Sequence, residues 1–482
     1  WKVSLKAMKA GGPFTMTVRG KNTLELRNIL LGDVWLCTGQ SNMDPLGGFK
    51  REFKEMYKDI PGEKVPNIRY FKVKVDCADE PRTEVVPAAA ANEPYWPSFG
   101  ETWRESDPEA SLAIAAVGYF FARKLEGEVH VPIGIISVQR GATMAECWMS
   151  QATLRSHPEF AEILESYQKS LSAQPAAEEK YQRDLADWRA RRAAGDKNLG
   201  NAPWQPMGPA NYMRPSALYY GMIAPLHAFR IKGILWYQGE GNSGKAIQYR
   251  TLFPALITSW REAWGQGDFP FLFVQLAAYQ KANAVMDDTD WPYLREAQAM
   301  ALALPNTGMA VAIESGMQEN IHPAYKEAVG ERLALAALKV AYGRDLIASG
   351  PTFKRATFQG SQVIVEFGNV GAGLCARELD LDLGKIHLPA DELRGFSVCG
   401  TDKRFKPATA KIMGNTVVCS SADIATPVAV RYAWANFPLC NLFNKEGLPA
   451  GPFRSDDFDM GAAAKADRLK NPEQKPKERS AP

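Results

Sequence analysis

Apolar and polar positions alternate along the first 30 residues and break at Gly11-Gly12-Pro13 and Gly20, which predicts short β-strands over Lys2–Lys6, Phe14–Val18 and Thr23–Leu26. The texture then changes. Compact apolar runs stand at Val34–Cys37, Ile133–Val138, Gly233–Tyr237, Phe271–Gln275 and Met309–Ile313. Between them lie stretches with apolar residues at helical spacing: Leu112–Leu125, Tyr249–Trp264, Trp291–Leu304 and Ala324–Tyr342. Short, wholly apolar runs suit strands buried on both faces, so this alternation predicts a parallel sheet with helices on both sides. Residues 150–194 interrupt the rhythm. They are charged and Ala-rich, and read as an inserted helical hairpin, either a solvated decoration or a cover over a groove, followed by a Pro/Gly/Asn loop at 195–215.

Beyond about residue 345 the runs are short and alternating: Val363–Phe367, Gly395–Cys399, Ala408–Ile412, Thr416–Cys419 and Ala429–Tyr432, a β-sandwich pattern. Gly461–Pro482 carries Lys, Glu, Pro and Ala with no apolar face, which predicts disorder. The expected division is therefore a β segment over 1–30, an α/β domain over 31–344 with an insert near 150–195, a β-rich domain over 345–460 and a tail over 461–482. A length of 482 residues agrees with more than one core.

Composition narrows the function. The net charge of +3 is spread along the chain without a basic block, which disfavours nucleic acid and anionic membrane as partners. No apolar run is long enough to span a bilayer. The chain opens on Trp1 in strand-like sequence, so an export signal is expected to have been removed, and a periplasmic or secreted location follows. Seven scattered cysteines without CxxC spacing indicate neither a zinc site nor a dense disulfide framework; Cys399–Cys419 is the one pairing considered for an oxidising compartment. No Asn-x-Ser/Thr sequence occurs, which leans towards a bacterial source. Twelve Trp suit a carbohydrate-handling surface or a well-filled core equally.

The chemistry centres on Gly32-Asp33-Val34-Trp35-Leu36-Cys37-Thr38-Gly39-Gln40-Ser41-Asn42-Met43. A serine just past the carboxyl end of a parallel strand lies where open α/β sheets bind ligands, and the glycine before it permits a sharp turn with a backbone N–H free for an oxyanion. A serine nucleophile needs a base. Of five histidines, His130, His157, His227 and His387 stand in other contexts, whereas His322 follows the last strand of the α/β region in Glu319-Asn320-Ile321-His322-Pro323. A base in turn needs an acceptor to fix its tautomer. Glu319 could fold back to do so; Glu314, or a Ser–His dyad with no acid, remains open.

These residues resemble the first block of the sialate O-acetylesterase family, within the SGNH (GDSL-like) hydrolases. Ser137-Val138-Gln139-Arg140-Gly141-Ala142-Thr143-Met144-Ala145-Glu146-Cys147-Trp148 resembles its second block, Trp236-Tyr237-Gln238-Gly239-Glu240-Gly241-Asn242 its third, and Ile321-His322-Pro323 with Glu331-Arg332-Leu333 its last. The resemblance implies a three-layer α/β/α hydrolase domain and a Ser–His acyl-enzyme route that releases acetate from an O-acetylated sugar or glycan, with no cofactor and no metal. It implies Ser41 as nucleophile, His322 as base and then acid, and the Ser41 N–H, Gly141 N–H and Asn242 amide as oxyanion donors. Gln40, Arg140, Arg214, Gln238 and Glu240 are candidates for sugar contact or for support of the site, and Arg140 or Arg214 would suit a substrate carboxylate. Three positions depart from the family pattern: Ala142 replaces a glycine, Gly241 a serine, and no Asp stands before the histidine. A polysaccharide acetylesterase such as one acting on xylan is the enzyme alternative; an inactive sugar-binding protein is the alternative of another class.

Overall fold

The computed structural model describes residues 6, 8–60, 62–85, 102–284, 286 and 289–459. The expected strand over Lys2–Lys6 lies, apart from Lys6, outside them, as does the tail from Gly461. The chain forms two compact units: Trp1–Asn242 with Thr251–Phe271 and Leu304–Asn306, and Ser243–Arg250 with Leu272–Ala303 and Thr307–Pro482.

The first unit opens on an antiparallel pair, β1 (Gly11–Arg19) and β2 (Thr23–Leu31), turning at Gly20. Gly11-Gly12-Pro13, expected as a turn, lies within β1 because its backbone already faces β2, with Gly11 opposite Leu31. The sheet of this unit contains β3 (Asp33–Gly39), β4 (Val65–Lys72), β5 (Arg104–Ser106), β6 (Ile133–Gln139) and β7 (Gly233–Tyr237), in the order β7-β3-β6-β4-β5. Strands β7, β3, β6 and β4 are parallel, and β5 is antiparallel to β4. The sequence pattern misses β4. Its Asn67, Arg69 and Lys72 dilute the apolar signal, and only Ile68 and Tyr70 are deeply buried.

Helices cover both faces, as a parallel sheet requires. Trp35 and Thr38 of β3 are three residues apart and so point to opposite faces. On one, Trp35 meets Phe121 of α1 (Ala116–Val129) edge-on at 5.0 Å between ring centroids. On the other, Trp236, paired with Thr38, meets Trp260 of α3 (Ala246–Trp264) at 5.7 Å and Trp148 at 6.2 Å. Such aromatic pairs add about 1 kcal/mol each beyond the area they bury.

The insert is not a hairpin. After a short helix at Gln151–Ser156, residues Ala161–Ala193 form one 33-residue helix, α2. The segment holds no Gly-rich turn that would reverse it. Its Ala, Glu, Lys, Gln and Arg favour helix, and pairs four residues apart such as Arg183–Glu179 support it. Of its residues only Ile163 is buried.

In the second unit β8 (Phe271–Gln275, of which Leu272 onward belongs to this unit) neighbours β9 (Thr307–Val311), and helix α4 (Lys326–Val340) packs on β9. The expected sandwich is present as two four-stranded antiparallel sheets. One holds Thr352–Gln359, Gln362–Gly368, Thr409–Met413 and Thr416–Ser420; the other Phe396–Cys399, Lys406–Pro407, Ala429–Tyr432 and Phe453–Arg454. Val363, Val365 and Val417 of the first share a core with Phe396, Val430 and Tyr432 of the second, and Phe353 stacks on Phe453 at 4.5 Å. All seven cysteines are free. Cys399 and Cys419 cannot pair because each is buried in a different apolar cluster.

Candidate active site

Register places the first three motifs together. Gly39 pairs with Gln139 on one side and Tyr237 on the other, so three parallel strands end level and release their loops at one carboxyl edge. Gly39 is required there. Its φ is +141°, and a Cβ would stand 2.2 Å from the Tyr237 carbonyl oxygen. The chain then turns into a 3₁₀ helix, Ser41–Met43, with the Met43 N–H bonded to Gln40 O at 2.8 Å. Ser41 is half-buried. Gly141 lies against it, close enough that a Cβ there would approach Ser41 Cβ to 3.4 Å.

A buried polar network ties these loops. Gln40 Oε1 accepts from the N–H groups of Gly239 at 3.4 Å and Gly241 at 3.2 Å, binding the serine turn to the third motif. Asn42 Nδ2 donates to Glu240 across the same junction. Gln238 Nε2 donates to Thr143 O at 3.1 Å and to Asn242 Oδ1 at 2.7 Å. Asn242 Oδ1 also accepts from Ala145 N at 2.9 Å, while its Nδ2 donates to Glu146 Oε2 at 2.9 Å. Two donors on one atom and a carboxylate on the other fix which end of the amide is nitrogen. Glu146 takes one of its two N–H groups, and the second is the one that can serve an oxyanion. Gln40, Gln238 and Glu240 thus spend their side chains on loop support. Glu146, Asn42 and Thr143 complete the network without having been singled out from sequence; a carboxylate inside Met144-Ala145-Glu146-Cys147-Trp148 was the available signal, since a buried charge must have a partner.

Two of the family departures meet here. Ala142 adopts φ +59°, a conformation natural to glycine. Ala142→Gly is therefore expected to raise stability by about 1 kcal/mol in urea unfolding; a loss would show that this backbone is unstrained. Gly241 packs on Thr143, where a Cβ would lie 2.8 Å from the carbonyl oxygen, so a serine at 241 has no room unless the 142–143 backbone moves.

The two arginines differ. Arg214 is 3% exposed, with Nε bonded to Pro209 O at 2.9 Å and Nη2 paired to Asp79 at 3.0 Å. Arg140 is half-buried, and its guanidinium lies 4.1 Å from the Tyr212 ring centroid. Both act on Cys77: burial pushes that thiol up, and the two guanidiniums pull it back.

His322 belongs to the second unit, in the loop before α4. Its backbone N–H donates to Asn320 Oδ1 at 2.9 Å, an Asx turn that shapes the loop. Glu314 is engaged by Arg332 of α4, and Glu319 is exposed. The other histidines are occupied elsewhere. His227 sits between Tyr219 and Trp264, where burial pushes it down to about 4. His130 ends α1 in a left-handed turn, and His157 and His387 lie beside exposed carboxylates. Among the described residues no His/Cys/Asp/Glu cluster could hold a metal, and no helix is long and apolar enough to cross a membrane.

A serine turn, a packed glycine and an oriented amide thus meet at one sheet edge, and it is comparison with known proteins that gives the class, a carbohydrate esterase. The family model described as carbohydrate esterase, sialic acid-specific acetylesterase, matches residues 193–339. Sialate O-acetylesterase of Rattus norvegicus is 30% identical over 505 residues, spanning 94% of this chain and 83% of the relative. That of Homo sapiens is 28% identical over 499 residues, spanning 96% and 83%. A crystal structure of a carbohydrate acetylesterase from Xanthomonas citri is 35% identical and covers 95% of this chain and 88% of its own, with a TM-score of 0.72. The chain belongs to the sialate O-acetylesterase family and is a carbohydrate O-acetylesterase.

Proposed function

We propose that the chain releases acetate from O-acetylated sialic acids through an acetyl-enzyme on Ser41. The observation that carries this reading is the Asn242 amide, held in one orientation beside the nucleophile turn, in a chain whose relatives are named for that substrate. His322 takes the Ser41 proton as Oγ attacks the acetyl carbonyl. The Ser41 and Gly141 N–H groups and the Asn242 amide receive the oxyanion, each worth on the order of 3 kcal/mol because the donors are already aimed. His322 then protonates the departing sugar oxygen, and water, activated by the same imidazole, frees acetate. Measuring acetate release from acetylated sialic acids, xylan and pectin tests the substrate; turnover of xylan alone would replace this reading with that of a polysaccharide acetylesterase.

Glu319 is kept as the carboxylate that orients His322. Asn320 spends its oxygen on the loop and Glu314 its charge on Arg332, which leaves Glu319 as the nearby acid without an ion pair among the described residues. Because it is exposed, its contribution is smaller than that of a buried triad acid. Glu319→Gln is expected to lower kcat about tenfold. An unchanged kcat would assign the site to a Ser–His dyad instead.

The reading extends to an exported bacterial enzyme; the bacterial source is supported by the identity with the Xanthomonas citri protein. Recovery of the native protein from the cytoplasm alone on cell fractionation would reject that location.

A further inference from the structure

We infer that Arg140 binds the carboxylate of the substrate and so selects acidic over neutral acetylated sugars. The inference rests on the acyl-enzyme reading above for its reacting serine, and it names what that reading lacks, the group on the sugar that the protein recognises.

Position comes first. Arg140 directly precedes Gly141, whose backbone packs on Ser41, and its own N–H donates to Gly39 O at 3.1 Å. Its main chain is thereby fixed beside the nucleophile turn. A sugar presenting an acetyl group to Ser41 brings its ring and substituents into this neighbourhood.

The side chain is poised for an acceptor. One face of the guanidinium stacks on Tyr212, which leaves the edge, where its five N–H donors lie, uncovered by the stack. Nε is shut off from solvent with no hydrogen-bond partner, and none of the ion pairs among the described residues includes Arg140. A buried donor left unmatched is unfavourable, and a planar carboxylate satisfies such an edge with two parallel bonds.

The acids of the adjoining 76–79 segment are already taken: Asp76 by Arg82 at 2.9 Å and Asp79 by Arg214 at 3.0 Å. Arg214, the other arginine suggested by sequence, holds a carbonyl and a carboxylate of the protein itself, which makes it a loop clamp. Of the two, Arg140 is the one without a carboxylate partner among the ion pairs of the described residues.

The test is a ratio of kcat/KM values on matched substrates: O-acetylated N-acetylneuraminic acid and its methyl ester, then O-acetylated galacturonate oligomers and their methyl esters, with acetylxylan as the neutral sugar. The wild-type protein is expected to favour the free acid over its ester by about 10- to 100-fold, chiefly through KM. Arg140→Met should bring that ratio near one, and Arg140→Lys, a point charge without the fork, should fall between. Using the ratio within each variant cancels any loss of folded or active protein. A ratio that stays at the wild-type value in Arg140→Met overturns the inference. If sialates are good substrates but acid and ester react alike in the wild type, Arg140 is wrong and the sialate reading stands. If only galacturonates react, with an Arg140-dependent ratio, Arg140 stands and the sialate reading falls. Turnover of acetylxylan alone overturns both.

Discussion

Ser41→Ala is expected to abolish hydrolysis of p-nitrophenyl acetate, lowering kcat by about 10⁵-fold or more, while the melting temperature stays within a degree or two of wild type. On the proposed mechanism the hydroxyl carries the chemistry, so the two readouts should diverge. The turn that presents it is built by other groups: Gly39, the Gln40 side chain reaching Gly239 and Gly241, and Asn42 on Glu240. Activity near the wild-type level would reject Ser41 as nucleophile. A large fall in melting temperature would mean that the hydroxyl is part of the network.

The second large effect concerns His322. Without its base a serine hydroxyl is a poor nucleophile at neutral pH, so His322→Ala is expected to cost about as much as Ser41→Ala, on the order of 10⁵-fold. The sharper measurement is the double variant. Groups that act in one step are strongly non-additive, so Ser41→Ala/His322→Ala should be no slower than either single variant. Multiplied losses would mean that the two residues contribute independently, and the acyl-enzyme assignment would fail. The same comparison for His227→Gln should show no such coupling, since that imidazole is enclosed by Tyr219 and Trp264.

Much of this was legible in the chain, and the exceptions have physical causes. The runs at Gly233–Tyr237, Phe271–Gln275 and Ala429–Tyr432 coincide with strands because every position in them is buried, which keeps the runs compact, with Gln275 and Arg431 as buried polar exceptions. Val65–Lys72 was hidden because a strand towards the sheet margin tolerates Asn67 and Arg69. The helical insert was legible as helix but not as one helix. Periodicity reports local conformation and not where a helix ends: Pro175 lies inside the helix, and 161–193 holds no Gly or Asn that would reverse the chain there. In the site, family resemblance supplied the names of Ser41, Gly141 and Asn242, but not why the amide points as it does. That answer required Gln238, four residues earlier on the same loop, and Glu146, far away in sequence and brought near only by sheet register. Arg140 and Arg214 look equivalent in one dimension. Only the partners of Arg214 separate them.

The level ending of the three central strands has a consequence for how such a protein can change over time. Gly39, Gln139 and Tyr237 are aligned by sheet hydrogen bonds, and the loops beyond them are laced by Gln40, Gln238 and Asn242. None of these ties depends on how much chain separates one strand from the next. The 33-residue α2 lies between β6 and β7 in sequence, and those strands still end together. Lineages are therefore free to lengthen, shorten or exchange such excursions, and to alter which sugars reach the serine, while the acetyl-transfer apparatus is inherited unchanged.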